Sequence, residues 1–147
     1  MSHTIYRRKL YRLISLYEHN YRRLNALIPA LHDADGELML RDDDSVQFSL
    51  HIIEQCKYTT LLSLKHYFDN GDHIVDMEMR IRVSHDAAVA EVVSYQRHGR
   101  LEPVYDYPNE KMYHKDEKYQ HNSLLADWLN LCADRQYVLL KADSISI

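Results

Sequence analysis

The sequence predicts an α+β fold: an antiparallel β-meander of about five to six strands, with an N-terminal and a C-terminal amphipathic helix packed on one face. Three observations carry this prediction. Apolar residues recur at helical spacing near both ends of the chain, and they alternate with polar residues between those ends. The three glycines stand at expected chain reversals. The length of 147 residues fits a single domain spanning residues 1–147.

Residues 5–28 form the first predicted helix. Apolar and aromatic side chains share one side of its helical wheel, and basic side chains share the other. The apolar side holds Leu10, Leu13, Ile14, Tyr17, Tyr21, Leu24, Leu27 and Ile28, and the basic side holds Arg8, Arg12, His19, Arg22 and Arg23. We expect Pro29 to end the helix near Ile28, because proline disfavours the α conformation of the residue before it.

Alternating patterns predict the strands that follow. Within residues 46–52 and 75–83, apolar residues alternate with polar ones, which is typical of a strand with one buried and one solvated face. The other predicted strands are residues 58–67, 89–96 and 100–105. Pro103 places the last of these at a sheet edge, because proline lacks the N–H that a central strand must donate.

Residues 115–135 form the second predicted helix. Cys132 lies on its apolar arc, so we expect this cysteine to be a buried free thiol. Glu117, Lys118 and His121 point within the same arc. Polar groups on a core-facing side need partners, because burying them unsatisfied costs about 1–3 kcal/mol each.

Composition and the ends of the chain exclude several classes of protein. The formal charge of −4 argues against a protein built mainly to bind nucleic acid. The N-terminal residues show no apolar signal segment, and no apolar run approaches membrane-spanning length, so we expect a cytoplasmic protein. Neither a phosphate-binding glycine loop nor a G-x-S-x-G motif occurs.

Residues 137–147 are expected to form a short strand or a packed tail.

The connectivity of a meander gathers distant residues at one end of the sheet. The turns at 54–57 and 84–87 and the strand exit at 105–109 fall at the same end. The turns at 42–44, 69–72 and 97–99 fall at the other end. We therefore expect His85 and Asp86 to lie near the start of the second helix.

Two interpretations of this polar cluster remain open. In the functional one, His85, Asp86, Asp106 and Glu117 are candidate acid–base groups or metal ligands, and Lys111 or Lys118 holds an anionic group. In the structural one, the same groups form a polar clasp that pins the second helix to the end of the sheet. The clasp is preferred, because structural ion-pair networks often resemble functional sites. No residue is therefore assigned as catalytic.

Other candidate sites are weaker. His114, Glu117 and His121 have helical spacing, but they do not form the HExxH pattern, so no metal site and no cofactor is predicted. The arginines of the first helix are candidates for contacts with phosphates or with an acidic partner. A solvated helix face explains them better, given the acidic total charge.

Five blocks of the sequence resemble a known family. These are residues 54–60 (EQCKYTT), 85–92 (HDAAVAEV), 105–109 (YDYPN), 116–122 (DEKYQHN) and 125–129 (LADWL). Together they resemble the YqiB-like proteins of proteobacteria, a domain of unknown function. The resemblance spans nearly the whole chain, and it implies a small bacterial cytosolic protein without an established activity.

The leading functional hypothesis is a non-enzymatic protein-binding, adaptor or regulatory module with an unknown protein partner. Its expected partner-binding residues are Tyr58, His85, Tyr105, Tyr107, Asn109, Lys111, Lys118 and Gln120. The alternative is an enzyme or sensor that acts on a phosphorylated small molecule such as a nucleotide. In that alternative, Lys111 or Lys118 binds phosphate, while His85 and Asp106 transfer protons. Membrane and nucleic-acid partners are not expected.

Overall fold

The structure is a computed structural model that describes residues 2–42, 45–67, 75–97, 115–135 and 138–141. Two α-helices, six strands and one short 3-10 turn occupy these residues. In chain order they are α1 (Ser2–Leu27), the 3-10 turn (Leu31–Asp33), β1 (Glu37–Asp42), β2 (Ser45–Gln55), β3 (Thr59–Tyr67), β4 (Val75–Ser84), β5 (Val89–Arg97), α2 (Lys115–Arg135) and β6 (Val138–Lys141).

The six strands form one antiparallel sheet in the order β5-β4-β3-β2-β1-β6. Strands β1 to β5 follow one another as a meander, and the buried residues of both helices join one core with one face of the sheet. The predicted α+β fold class is therefore confirmed. Strand β6 returns to pair with β1, which decides between the two alternatives for the start of the C-terminal tail.

Strand β1 is the element that the alternating pattern did not predict. Its sequence, Glu-Leu-Met-Leu-Arg-Asp, contains no β-branched residue and does not alternate strictly. Pairing with both β2 and β6 holds it in the sheet instead. Gly36 leads into it with a φ of 75°, a left-handed conformation that glycine adopts without steric cost. The predicted strand at 100–105 lies outside the described residues.

The core lies between the helices and one face of the sheet. In register across β2, β3 and β4, Leu50 pairs with Leu64, and Leu64 pairs with Met79. These three side chains are buried, as are Leu24 of α1 and Leu125 of α2. Burial of a side chain of this size stabilises the fold by roughly 1.5–3 kcal/mol.

The first helix is buried over only part of its apolar side. Leu24 and Ile28 are fully or almost fully buried, whereas Leu10 is 45% exposed and Ile14 is 39% exposed. The helical periodicity was thus correct, but it did not tell which half of the helix packs on the sheet. Within the described residues, neither helix has a stretch long and apolar enough to span a membrane.

Candidate functional site

Two turns lie side by side at one end of the sheet, as the connectivity predicts. The β2–β3 turn closes with a hydrogen bond from the Cys56 N–H to the Thr59 carbonyl oxygen, at 2.8 Å. The His85 N–H, at the start of the β4–β5 turn, donates to the Tyr58 carbonyl oxygen, also at 2.8 Å. Backbone bonds across the two turns fix their relative position, so the side chains of Tyr58 and His85 project from a rigid base.

A chain of side-chain hydrogen bonds connects His85 to the segment after α1. The Gln55 amide nitrogen donates to the Leu31 and Ala34 carbonyl oxygens at 3.0 and 2.8 Å. The Thr60 hydroxyl donates to the Gln55 side-chain oxygen, and the Thr60 oxygen lies 2.7 Å from His85 Nε2. Strands β2 and β3, the β4–β5 turn and the segment at the 3-10 turn are therefore joined by one polar network.

The network determines the tautomer of His85. Both carbonyl partners of the Gln55 amide are acceptors, so the NH₂ group must face them and the amide oxygen must face Thr60. The only hydroxyl proton of Thr60 is then directed to Gln55. Thr60 can only accept from His85, so His85 carries its proton on Nε2. Its Nδ1 is left as an acceptor, with no hydrogen-bond partner among the residues that the structure describes.

Two aromatic neighbours surround the imidazole of His85. The ring of Tyr21 meets it edge-on with centroids 6.1 Å apart, and the ring of His32 does so at 6.2 Å. Burial lowers the pKa of His85 below 6.5, the nearby His32 lowers it further, and the Asp86 carboxylate opposes both effects. His85 is therefore neutral at pH 7, in the tautomer that the network selects.

Thr60 and His85 resemble a nucleophile and its base, but burial argues against that chemistry. Thr60 is 0% exposed, and its proton is already donated to Gln55. An activated nucleophile must reach its substrate and give its proton to the base. The arrangement can instead hold the imidazole still and offer Nδ1 to a hydrogen-bond donor.

Exposed side chains flank His85 and complete a mixed aromatic and charged surface. Tyr58 is 54% exposed, and the Lys57 ammonium lies 5.2 Å from the centroid of its ring. His32 and Asp86 are also exposed. We call the surface formed by His32, Lys57, Tyr58, His85 and Asp86 the His85 edge.

A separate polar clasp joins the start of α2 to β5. The Lys118 ammonium lies 2.7 Å from the Glu91 carboxylate, and the Asn122 side-chain oxygen accepts a hydrogen bond of 2.9 Å from the Val92 N–H. Asn20 of α1 donates to the Asn122 carbonyl oxygen at 3.1 Å. The two helices and β5 are thus tied together through Asn122, which is 0% exposed.

The remaining site residues expected from the sequence are spread over the start of α2 and the segment before it. Glu117 is half-buried, and Gln120 is exposed. His121 stacks on Tyr95 with centroids 4.5 Å apart, and burial lowers its pKa while Glu117 opposes that shift. Five expected site residues lie outside the described residues: Tyr105, Asp106, Tyr107, Asn109 and Lys111.

Several residues that organise these sites were missed as individual candidates. Gln55 and Thr60 lie in the family-like block at 54–60, but nothing in that block indicates their hydrogen-bond partners. Asn20 and Asn122 are amides that are 0% exposed, and Asn20 falls on the apolar azimuth of α1. An amide at such a position could have been recognised as a buried hydrogen-bonding group.

Comparison with known proteins identifies the family. Residues 23–138 match the family described as "Protein of unknown function (DUF1249)". The chain belongs to this family. It is also 39% identical over 120 residues to the "Uncharacterized protein YqiB" of Escherichia coli strain K12, an alignment that covers 82% of this chain and 85% of that protein. The proteins of the same name from E. coli O6:H1 and O157:H7 match to the same extent.

The family match confirms the YqiB-like resemblance of the sequence blocks. No solved structure matches the chain. The family description and the names of these relatives assign no activity.

Proposed function

We propose that this protein is a non-enzymatic protein-binding module that contacts its partner through the His85 edge. One observation carries the proposal: an exposed tyrosine, Tyr58, is held by backbone hydrogen bonds next to a histidine whose tautomer is fixed. A partner would meet an aromatic ring and a hydrogen-bond acceptor at fixed positions. Less conformational entropy is lost on binding when both groups are already ordered.

Tyr58 supplies the apolar part of the proposed contact. Tyrosine is enriched among the residues that dominate binding energy, because its ring buries a large area and its hydroxyl can still form a hydrogen bond. With 54% of the residue exposed, much of this area is available to a partner. The ammonium of Lys57 near its ring adds a positive charge to the same surface.

His85 supplies the specific polar part. Its Nε2–H is engaged by Thr60, so Nδ1 can accept from an N–H or O–H group of the partner. Because burial and His32 lower the pKa of His85, this acceptor persists at pH 7 and is lost when the ring is protonated in acid. The proposed contact is therefore favoured at neutral pH.

The alternative, an enzyme or sensor for a phosphorylated small molecule, has less support. Lys118, one of its two phosphate-binding candidates, already pairs with Glu91 at 2.7 Å. Thr60, the hydroxyl in contact with His85, is buried and donates its proton elsewhere. The ion pair weakens the candidate phosphate site at Lys118, and the burial of Thr60 weakens a catalytic role for His85.

Affinity capture with matched tyrosine variants tests the proposal. Tyr58→Ala removes the exposed ring of the His85 edge, and Tyr11→Ala removes a ring that is 70% exposed on α1. We expect a partner captured by the wild type to be retained by Tyr11→Ala and lost from Tyr58→Ala. A partner that both variants retain equally, or that only Tyr11→Ala loses, would contradict the proposal.

A further inference from the structure

A second candidate site lies near the opposite end of the sheet. A partly open cavity of about 270 Å³ lies between the helix-covered face of the sheet and α2. Phe48, Met77 and Arg97 belong to a row that runs across strands β2 to β5, and Trp128 of α2 closes the other side. An apolar cavity of about 150 Å³ is enough for a benzene ring, so one ring and a short substituent would fit here.

The walls of this cavity suit an aromatic ligand. The rings of Phe48 and Trp128 meet at a centroid distance of 4.9 Å with an interplanar angle of 58°. Met77 and Met79 line the cavity beside them. Thioether sulfurs make favourable contacts with aromatic rings, and the flexible side chains of methionine adapt to a ligand. Rings and thioethers together favour an aromatic body over a strongly polar one.

Two polar groups of the lining have no partner among the residues that the structure describes. Arg97 lines the cavity as an exposed residue at the end of β5, and it has no ion-pair partner among the described residues. Trp128 is only 7% exposed, and its buried indole N–H has no hydrogen-bond partner within the described part of the chain. A cation and an unsatisfied N–H donor at one cavity favour a ligand with a negatively charged acceptor group.

We propose that this cavity is a binding site for a small aromatic monocarboxylate. The aromatic ring lies among Phe48, Trp128 and the two methionines, and the carboxylate pairs with the Arg97 guanidinium. A guanidinium matches a carboxylate in a bidentate pair, which gives the acid an advantage over its neutral amide. The site is distinct from the His85 edge, and it does not depend on the protein-binding function proposed there.

The only tryptophan of the chain is Trp128, so its fluorescence reports directly on the cavity. We would titrate the full-length protein with phenylacetate, with the matched neutral phenylacetamide, and with acetate. The expected result is a saturable change with phenylacetate and binding about tenfold weaker for phenylacetamide, as the loss of one charge-assisted hydrogen bond implies. Acetate alone should bind more weakly still, because it lacks the ring.

Variants at exposed arginines separate the proposed ion pair from general charge effects. Arg97→Gln should weaken phenylacetate binding roughly tenfold and leave phenylacetamide binding within about twofold. Arg82→Gln, at an exposed arginine of β4 that does not line the cavity, should change neither affinity. Both positions are exposed, so both variants should keep the wild-type circular dichroism spectrum.

Three results would overturn the proposal. They are the absence of a saturable response to phenylacetate, an unchanged phenylacetate affinity in Arg97→Gln, and equal losses of affinity in Arg97→Gln and Arg82→Gln.

Discussion

The Nε2 atom of His85 lies 2.7 Å from the Thr60 hydroxyl oxygen, and this contact sets the orientation and the tautomer of the imidazole. It joins strand β3 to the β4–β5 turn, through two residues that are 25 positions apart in sequence. Through Gln55 the same network reaches the carbonyl oxygens of Leu31 and Ala34. Strand β2 therefore holds the 3-10 turn that follows α1. The His85 edge is thus positioned by partly buried hydrogen bonds.

Removal of the Thr60 hydroxyl should destabilise the fold. Thr60→Val keeps the side-chain shape, but it leaves the Gln55 oxygen and the His85 Nε2–H without their partner. We expect the free energy of unfolding to fall by about 1–3 kcal/mol, measured by urea denaturation. The control is Thr59→Val, at the half-buried residue that precedes Thr60 in β3. It should change the free energy of unfolding by less than about 0.5 kcal/mol. Equal effects of the two substitutions would argue against the network.

Stability should fall in mild acid because of His85. Burial and the neighbouring His32 lower the pKa of His85 in the folded protein below 6.5, so the unfolded chain binds the proton more tightly. The free energy of unfolding is therefore highest above pH 6.5, and it decreases as the pH falls from 6.5 toward the folded-state pKa. His121, whose pKa is also lowered by burial, adds to the same decrease.

His85→Gln tests this assignment. Glutamine keeps an N–H donor for Thr60 but cannot be protonated, so the decrease in stability between neutral and mildly acidic pH should become shallower. Part of the decrease should remain, because His121 still titrates. An NMR titration measures the pKa of His85 directly, and a value at or above 6.5 would contradict the structural assignment.

The clasp at Asn122 should matter more for stability than the side chain of Asn130, which is half-buried on the same helix. Asn122→Ala leaves the buried Val92 N–H without an acceptor and should lower the free energy of unfolding by about 1–3 kcal/mol. Asn130→Ala, on the same helix, removes an oxygen that has no hydrogen-bond partner among the described residues, and should be close to neutral. Both substitutions gain the same helix propensity, so their difference isolates the clasp.

Much of the fold could be predicted because the patterns that carry it are local. Strand β4 alternates between apolar and polar residues. The position of Cys132 on the apolar arc of α2 correctly predicted that this residue is buried. Strand β1 could not be predicted in the same way, since its place depends on pairing with β2 and β6. The exposure of Leu10 likewise could not be predicted, because it depends on which part of α1 packs against the rest of the protein.

The candidate site could be predicted only in outline. Antiparallel connectivity brings the turn at residues 84–87 to the turn at residues 54–57, and the structure confirms this meeting. The donor and acceptor of each hydrogen bond could not be read from the sequence, because they depend on carbonyl oxygens such as those of Leu31 and Ala34. The partner of Asn122 could not be predicted for the same reason, because it is the backbone N–H of Val92 and not a side chain.

The two cysteines should differ strongly in reactivity. Cys132 is buried, and burial raises the pKa of its thiol from 9.0 to about 12, whereas Cys56 is exposed. A thiol reagent at pH 8 should therefore label about one thiol per folded chain, and both thiols only after unfolding. Cys56→Ser should abolish the rapid labelling of the folded protein, because it removes the exposed thiol. Rapid labelling of Cys132 in the folded Cys56→Ser variant would contradict the described core.

The central claim is that the His85 edge contacts a protein partner, and site-specific photo-crosslinking tests it most directly. A benzoyl-phenylalanine placed at Tyr58 would report contacts of the edge, and the same group at Tyr11 would report contacts of a more exposed aromatic position on α1. We predict an adduct between position 58 and the captured partner, at least several-fold stronger than from position 11. An adduct that forms from position 11 and not from position 58 would contradict the account.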